Sequence, residues 1–192
     1  HLPLDALPHG AARAQLKRGR GPGNGDRARR VPDRQADESA GGWVPDPRGI
    51  FGVARQIPSP NRDSRPAGAE IELLVVHNIS LPPGEFGGSG IIELFTNRLD
   101  PGAHPYYREI KDLKVSSHFL IRRDGELIQF VPCGDRAWHA GQSRWRGRSC
   151  CNDFSVGVEL EGADDKPFAD VQYVMLADLT RALRRTYPIR DC

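Results

Sequence analysis

Three places along this chain carry side chains that a fold could put to chemical use. His77 closes the apolar run Leu73-Leu74-Val75-Val76 and is followed by Asn78 and a Pro/Gly-rich loop, Leu81-Pro82-Pro83-Gly84-Glu85-Phe86-Gly87-Gly88. An apolar strand that gives out at a histidine holds the imidazole rigidly at the rim of a sheet, within reach of a metal ion or a substrate. The plainer role for a strand-terminal histidine is a structural hydrogen bond. Trp138-His139-Ala140-Gly141 is a second such place, after Asp135-Arg136-Ala137. The third is Glu159 in Phe154-Ser155-Val156-Gly157-Val158-Glu159-Leu160. Strand alternation puts Val156, Val158 and Leu160 on one face and Ser155, Gly157 and Glu159 on the other. Small residues beside a carboxylate leave room for a ligand above a sheet. The competing reading pairs Glu159 with one of the chain's many arginines.

These residues need elements to hold them. A buried strand is expected over about 71–77, and Ile91, Ile92, Leu94 and Phe95 suit a short helix within 88–99. Lys114 to Ile121 reads as a second strand, with His118 as a core histidine on it. Asp124-Gly125 between two apolar runs signals a hairpin, with Glu126 to Val131 as the returning strand. Phe154 to Leu160 is a further strand. Val171, Met175, Leu179, Ala182 and Leu183 recur at helical spacing over about 169–186, a helix that would pack on the sheet and end before Pro188. The fold class is therefore α/β: a single mixed β-sheet with flanking helices.

Residues 1–42 differ from the rest. They hold eight Lys/Arg, five Asp/Glu and no aromatic residue, too little apolar surface to offset chain entropy. The expectation is a disordered N-terminal arm over 1–42 and a folded domain over 43–192. Of 27 basic residues 19 remain after the arm, and of 25 acidic residues 20, so the arm carries +3 and the rest of the chain −1. That balance argues against nucleic acid as a partner of the domain. The arm lacks the apolar core of a signal peptide, and no segment reaches the roughly 18 apolar residues of a membrane span. The chain opens on His1 and not Met, so the native start is expected to lie elsewhere. Four cysteines without CxxC spacing fit a reducing compartment. A soluble cytoplasmic monomer is expected.

Longer strings now narrow the reading. Residues 73–88, Leu120-Ile121-Arg122-Arg123-Asp124-Gly125-Glu126, Arg136-Ala137-Trp138-His139-Ala140-Gly141 and Cys151-Asn152-Asp153-Phe154-Ser155-Val156-Gly157-Val158-Glu159-Leu160-Glu161-Gly162 resemble the AmpD family of anhydro-N-acetylmuramyl-L-alanine amidases of peptidoglycan recycling. The likeness runs from about Trp43 to Pro188. It implies a cytoplasmic zinc hydrolase that cleaves the amide between anhydro-N-acetylmuramic acid and the L-Ala of a stem peptide. By that resemblance His77 is a Zn²⁺ ligand and Glu159 the catalytic carboxylate. Zinc acidifies a bound water and polarises the scissile carbonyl, while a carboxylate moves the proton to the leaving amine. Asn78, Trp138 and His139 fall where the family lines its substrate cleft, a Trp face suiting a sugar. Lys114 stands where an arginine is expected to hold a peptide carboxylate, so the bidentate fork is lost.

The chain also departs from that pattern. The resemblance implies a second His ligand, an Asp ligand and an oxyanion-stabilising Lys in a segment after the last helix, and the sequence stops at Cys192, short of it. A catalytic zinc needs three protein ligands and one open position. A His₃ set of His77, His118 and His139 would substitute only if the fold made them converge. The expectation is thus a C-terminally incomplete amidase domain, inactive as it stands, with a metal-free muropeptide-binding module or a dead remnant as the alternative.

Overall fold

A computed structural model describes residues 42–192. The expected arm lies, up to residue 41, outside the described residues. Five strands form one mixed sheet: β1 (Arg55–Gln56), β3 (Leu73–Ile79), β4 (Phe119–Ile121), β5 (Leu127–Gln129) and β9 (Ser155–Glu161), ordered β1-β5-β4-β9-β3. β4 and β5 are the antiparallel hairpin, and the other neighbours run parallel. Short ribbons complete the set, β2 (Arg62–Ser64) with β6 (Asp135–Ala137) and β7 (Arg144–Trp145) with β8 (Arg148–Ser149).

Helices cover both faces of the sheet, as the sequence anticipates. On one side α1 (Gly90–Phe95) and α2 (Pro105–Ile110) bury Ile91, Leu94, Phe95, Tyr107 and Ile110 against Ile79, Leu120 and Ile128. On the other, α3 (Asp170–Thr186) packs Leu179, Ala182 and Leu183 against Leu74, Phe119, Ile121, Val156, Val158 and Leu160. The alternation read in 154–160 is therefore realised, with its apolar half facing α3.

Several elements differ in extent from the expectation. The first strand is shifted towards its C-terminal end and carries His77 and Asn78 inside it. Of Lys114 to Ile121 only the last three residues are strand, because 114–118 is an irregular approach held by bonds such as Ser116 Oγ to the Asn61 carbonyl (2.7 Å). α2 has no counterpart in the periodicity. It is a short helix set by local chemistry: Pro105 at its first position and His104 Nδ1 accepting from the Tyr106 N–H (3.1 Å). The hairpin turn is as expected, with Gly125 at φ +89° and Asp124 Oδ1 accepting from the Glu126 N–H (3.0 Å).

The N-terminus of α3 corrects one inward assignment. Val171 is 41% exposed, and the fully buried residue of that turn is Gln172. Its Oε1 accepts from the Ala169 N–H (3.0 Å), while Nε2 donates to the Ile121 and Glu161 carbonyls (3.1 Å each). One amide thus stitches α3 to the ends of β4 and β9, which no apolar residue could do. Replacing it with a short apolar side chain leaves buried polar groups without partners, at roughly 1–3 kcal/mol. Gln172→Ala is expected to lower stability by about that amount, read as a reduced urea midpoint at unchanged m-value.

Candidate active site at the His77–Glu159 register

Parallel pairing of β3 and β9 matches Leu73 with Ser155 and continues for seven pairs, so His77 lies directly beside Glu159. Residues paired across a sheet share a face, and Leu120 of β4 flanks Glu159 on its other side. Glu159 is fully buried, and neither carboxylate oxygen has a hydrogen-bond partner. Burial alone pushes its carboxyl up from an ordinary 4.5 to about 8. The anticipated ion pair with an arginine falls instead to Glu161, two residues on. Glu161 accepts from the Gly87 N–H (2.7 Å) and the Arg123 N–H (3.2 Å) and lies 3.5 Å from the Arg122 guanidinium. It pins the Pro/Gly-rich loop to the sheet. One carboxylate is saturated with partners, and its neighbour on the same face has none.

Three imidazoles fill the space beside Glu159. The expected room above Gly157 is occupied by His139: a Cβ at 157 would come within 2.5 Å of its Cγ. His139 is buried, with Nδ1 3.0 Å from His77 Nε2 and Nε2 3.2 Å from Ser155 Oγ. Its backbone is fixed by Asn152 Oδ1, which accepts from the His139 and Ala140 N–H groups (3.2 and 2.8 Å). His118 is the core histidine the sequence suggests. Its Nδ1 accepts from the Gly157 N–H (3.0 Å), and its Nε2 lies 3.1 Å from both the Asp135 carbonyl and the Arg65 guanidinium. With both nitrogens used, His118 is not available to a His₃ set. Burial lowers His77 to about 4 and, with the Arg65 charge, His118 to about 3. His139 is held well below 6.5 by burial and then by His77, His118 and Arg65. Burial thus favours the neutral form of all three rings.

The remaining sequence candidates are dispersed. Asn78 sits on the opposite face from His77, because consecutive strand residues alternate. It donates to Asp164 Oδ1 (2.7 Å) and lines a cleft of about 460 Å³ with Leu160, Lys166, Phe168 and Tyr173, which His77 also borders. Trp138 is half-buried and bonds through its side chain to Asp63, which Arg136 clamps with two bonds of 2.6 and 2.7 Å. Lys114 is exposed on the irregular approach to β4. Sequence reasoning gave no role to Arg65, which donates to the carbonyls of Cys133, Asn152, Asp153 and Ser155 at 2.8–3.1 Å. It joins three segments behind the histidines, and nothing local in the sequence marks it.

A zinc site can be tested against this arrangement. Among the described residues no group of three or more His, Cys, Asp or Glu side chains is placed to hold a metal ion. His77 contributes one donor, and His118 is committed to backbone partners. The residues present do not by themselves satisfy the three-ligand requirement of a catalytic zinc.

The N-acetylmuramoyl-L-alanine amidase family matches residues 67–191 of this chain. The chain belongs to that family. Within it, the chain is 59% identical over 135 residues to the 1,6-anhydro-N-acetylmuramyl-L-alanine amidase AmpD of Escherichia coli K12, covering 70% of this chain and 74% of that protein. It is 57% identical over 145 residues to the AmpD of Salmonella typhimurium LT2, covering 76% and 77%. A crystal structure of a selenomethionine AmpD derivative superposes with a TM-score of 0.73 at 56% identity, covering 76% of this chain and 80% of that one. The matched span includes His77, His139 and Glu159, so the face described above lies within the family's own domain. Among the described residues no helix is long and apolar enough to cross a membrane.

The orphaned carboxyl has a consequence for stability. Glu159 retains a proton in the folded chain up to about pH 8, whereas an ordinary carboxyl releases it near 4.5. Its contribution is therefore complete below pH 4.5 and is lost progressively as pH rises to 8, by about 1.4 kcal/mol for each pH unit crossed. Glu159→Gln, which cannot ionise, is expected to raise Tm relative to the parent at about pH 8. The gain should vanish at about pH 4, as measured by calorimetry at both values.

Proposed function

We propose that this chain hydrolyses the amide between the lactyl group of anhydro-N-acetylmuramic acid and the L-Ala of a stem peptide, in cytoplasmic peptidoglycan recycling and as a monomer. Glu159 is the group that moves the proton. The observation that carries this reading is a buried carboxyl with both oxygens unpartnered, in register with a histidine. Such a group is costly to bury and has no structural bond to make, so it is poised for a partner that arrives from outside. The AmpD relatives, named as 1,6-anhydro-N-acetylmuramyl-L-alanine amidases, supply the substrate class. All four cysteines are free, which suits a reducing compartment.

In this reading it is the ionised form of Glu159, which burial makes the minor form below about pH 8, that takes a proton from the attacking water and returns it to the leaving amine of L-Ala, so turnover rises with pH towards 8. The surrounding apolar and imidazole groups keep bulk water away from that exchange. The half-buried Trp138, held by Asp63, offers a ring face for the sugar. Asn78 lies on the far face and Lys114 at the exposed approach, so neither carries the reading. His77 is the residue proposed to hold zinc, which when bound would polarise the amide carbonyl and acidify water. Because the described residues do not complete a three-donor set, the proposal stands on Glu159 and not on the metal.

The test uses the 192-residue chain with added zinc and an anhydro-muropeptide, following free peptide by chromatography and binding by calorimetry. Release of peptide by the parent is the outcome this proposal requires, and it would overturn the inactivity expected of the sequence as it stands. Glu159→Gln should lose about 10²–10⁴ in turnover while still binding the muropeptide. Binding by the parent with no cleavage would overturn the catalytic reading in favour of a metal-free binding module.

A further inference from the structure

Behind His77 the buried polar groups form a hydrogen-bond chain whose direction can be worked out from its far end. A serine hydroxyl has one proton to donate. The Ser155 hydroxyl gives its proton to the Cys151 carbonyl at 2.6 Å, a group that can only accept. Ser155 Oγ must therefore accept from His139 Nε2, 3.2 Å away, and that nitrogen carries the ring proton. His139 is buried and its ring bonds only to an imidazole and a hydroxyl, with no carboxylate to hold a second proton, so it carries one proton and Nδ1 is a bare lone pair. His77 Nε2, 3.0 Å from that lone pair, is then the donor. His77 Nδ1 is left as a lone pair, and among the described residues no side chain or backbone group bonds to it.

We infer that Ser155 and His139 are positioning residues: the Cys151 carbonyl, Ser155 and His139 act in series to fix His77 as its Nε2–H tautomer, with Nδ1 as the nitrogen it offers to a ligand.

The surroundings show that this chain is built and not incidental. Gly157 is the residue whose missing side chain admits the His139 ring, since a Cβ there would lie 2.5 Å from Cγ and 2.6 Å from Nδ1. The loop that carries the ring is fastened by the Asn152 side chain at two successive backbone N–H groups, 139 and 140. Cys151, at the other end, opens the 3₁₀ turn Cys151–Phe154 that leads into β9, so its carbonyl is part of a regular element. Arg65 fastens that turn through the Asn152 and Asp153 carbonyls. His139 and Ser155 are both buried, and each bonds to the next group in line. A histidine that binds a ligand through one nitrogen commonly donates its other N–H to a fixed acceptor, which sets the tautomer and holds the ring plane. Here that acceptor is another imidazole, itself oriented by a hydroxyl. The statement that a metal would bind at His77 Nδ1 rests on the amidase reading above. The relay does not.

The ¹⁵N-labelled 192-residue chain, free of metal and substrate, tests this through two-bond ¹⁵N–¹H correlations, which separate protonated from bare ring nitrogens. His77 and His139 are both expected as Nε2–H tautomers with bare Nδ1. A His77 found as Nδ1–H, or doubly protonated at neutral pH, overturns the inference. In Ser155→Ala, His139 loses the acceptor that commits its proton, and the Nδ1 resonance of His77 should shift towards the protonated position. A Ser155 that merely fills space would leave His77, two hydrogen bonds away, unchanged, and that result in a folded variant removes Ser155 from the relay. If Ser155→Ala does not fold, the parent spectrum still decides the tautomers. Activity enters nowhere in this measurement, so a failure of the relay and a failure of the amidase reading are seen separately.

Discussion

The seven-pair parallel ladder between β3 and β9 is the constraint on which the rest of this structure depends. It sets His77 beside Glu159, and it does so through backbone hydrogen bonds that neither side chain helps to make. The same register sends Val156, Val158 and Leu160 to the α3 face and reserves the other face for Ser155, Gly157, Glu159 and Glu161. A slip of one residue would turn every one of these side chains to the wrong side. Apolar packing under α3, and under α1 and α2 at Ile79 and Leu120 on the other face, therefore protects the geometry of these polar residues.

That polar face is sorted with care for its hydrogen bonds. Glu161 has backbone donors and a nearby guanidinium, His118 has a donor and an acceptor, and His139 is used at both nitrogens. Arg65 directs its donors to carbonyls from three segments and so holds the loop before β6, the 3₁₀ turn and the start of β9 together. Against this saturated background the bare carboxyl of Glu159 stands out. Tyr106 Oη, Ser117 Oγ and Arg123 Nη1 are also buried without a partner, but Glu159 is the one carboxyl among them, and it keeps a local instability for a partner to relieve. Preorganisation follows from the same arrangement, because the surrounding rings and loops are already fastened before anything binds.

Much of this was legible in the linear chain. Four branched apolar residues before His77 announced a buried strand, and the two-residue alternation of 154–160 announced which side chains would share a face with Glu159. Asp124-Gly125 marked the hairpin, and the spacing of Leu179, Ala182 and Leu183 marked the helix that covers the sheet. Other features were not legible. The very short strands β1, β2 and β6 have too few residues to show a period, and α2 owes its start to a His-Pro pair rather than to an apolar stripe. Val171 fitted the helical spacing yet points outward, because Gln172 is needed to bond the ends of β4 and β9. Small residues at 155 and 157 suggested open space, and the space is taken by a ring that arrives from a loop.

What the sequence determined by itself is what nearest neighbours along the chain decide: strands, the main helices, the turn, and the two faces of β9. Family membership was equally written in its motifs. Only the tertiary structure decided which residues meet. His139 lies 62 positions from His77 and 16 from Ser155, and Arg65 lies 90 from the Ser155 carbonyl it holds. No local period encodes such distances. The direction of the hydrogen-bond chain, the isolation of Glu159 and the separation of Asn78 from His77 all follow from strand register and loop placement. Those are set by how the whole core packs, and a hydrogen bond has a direction only once both of its ends are in place.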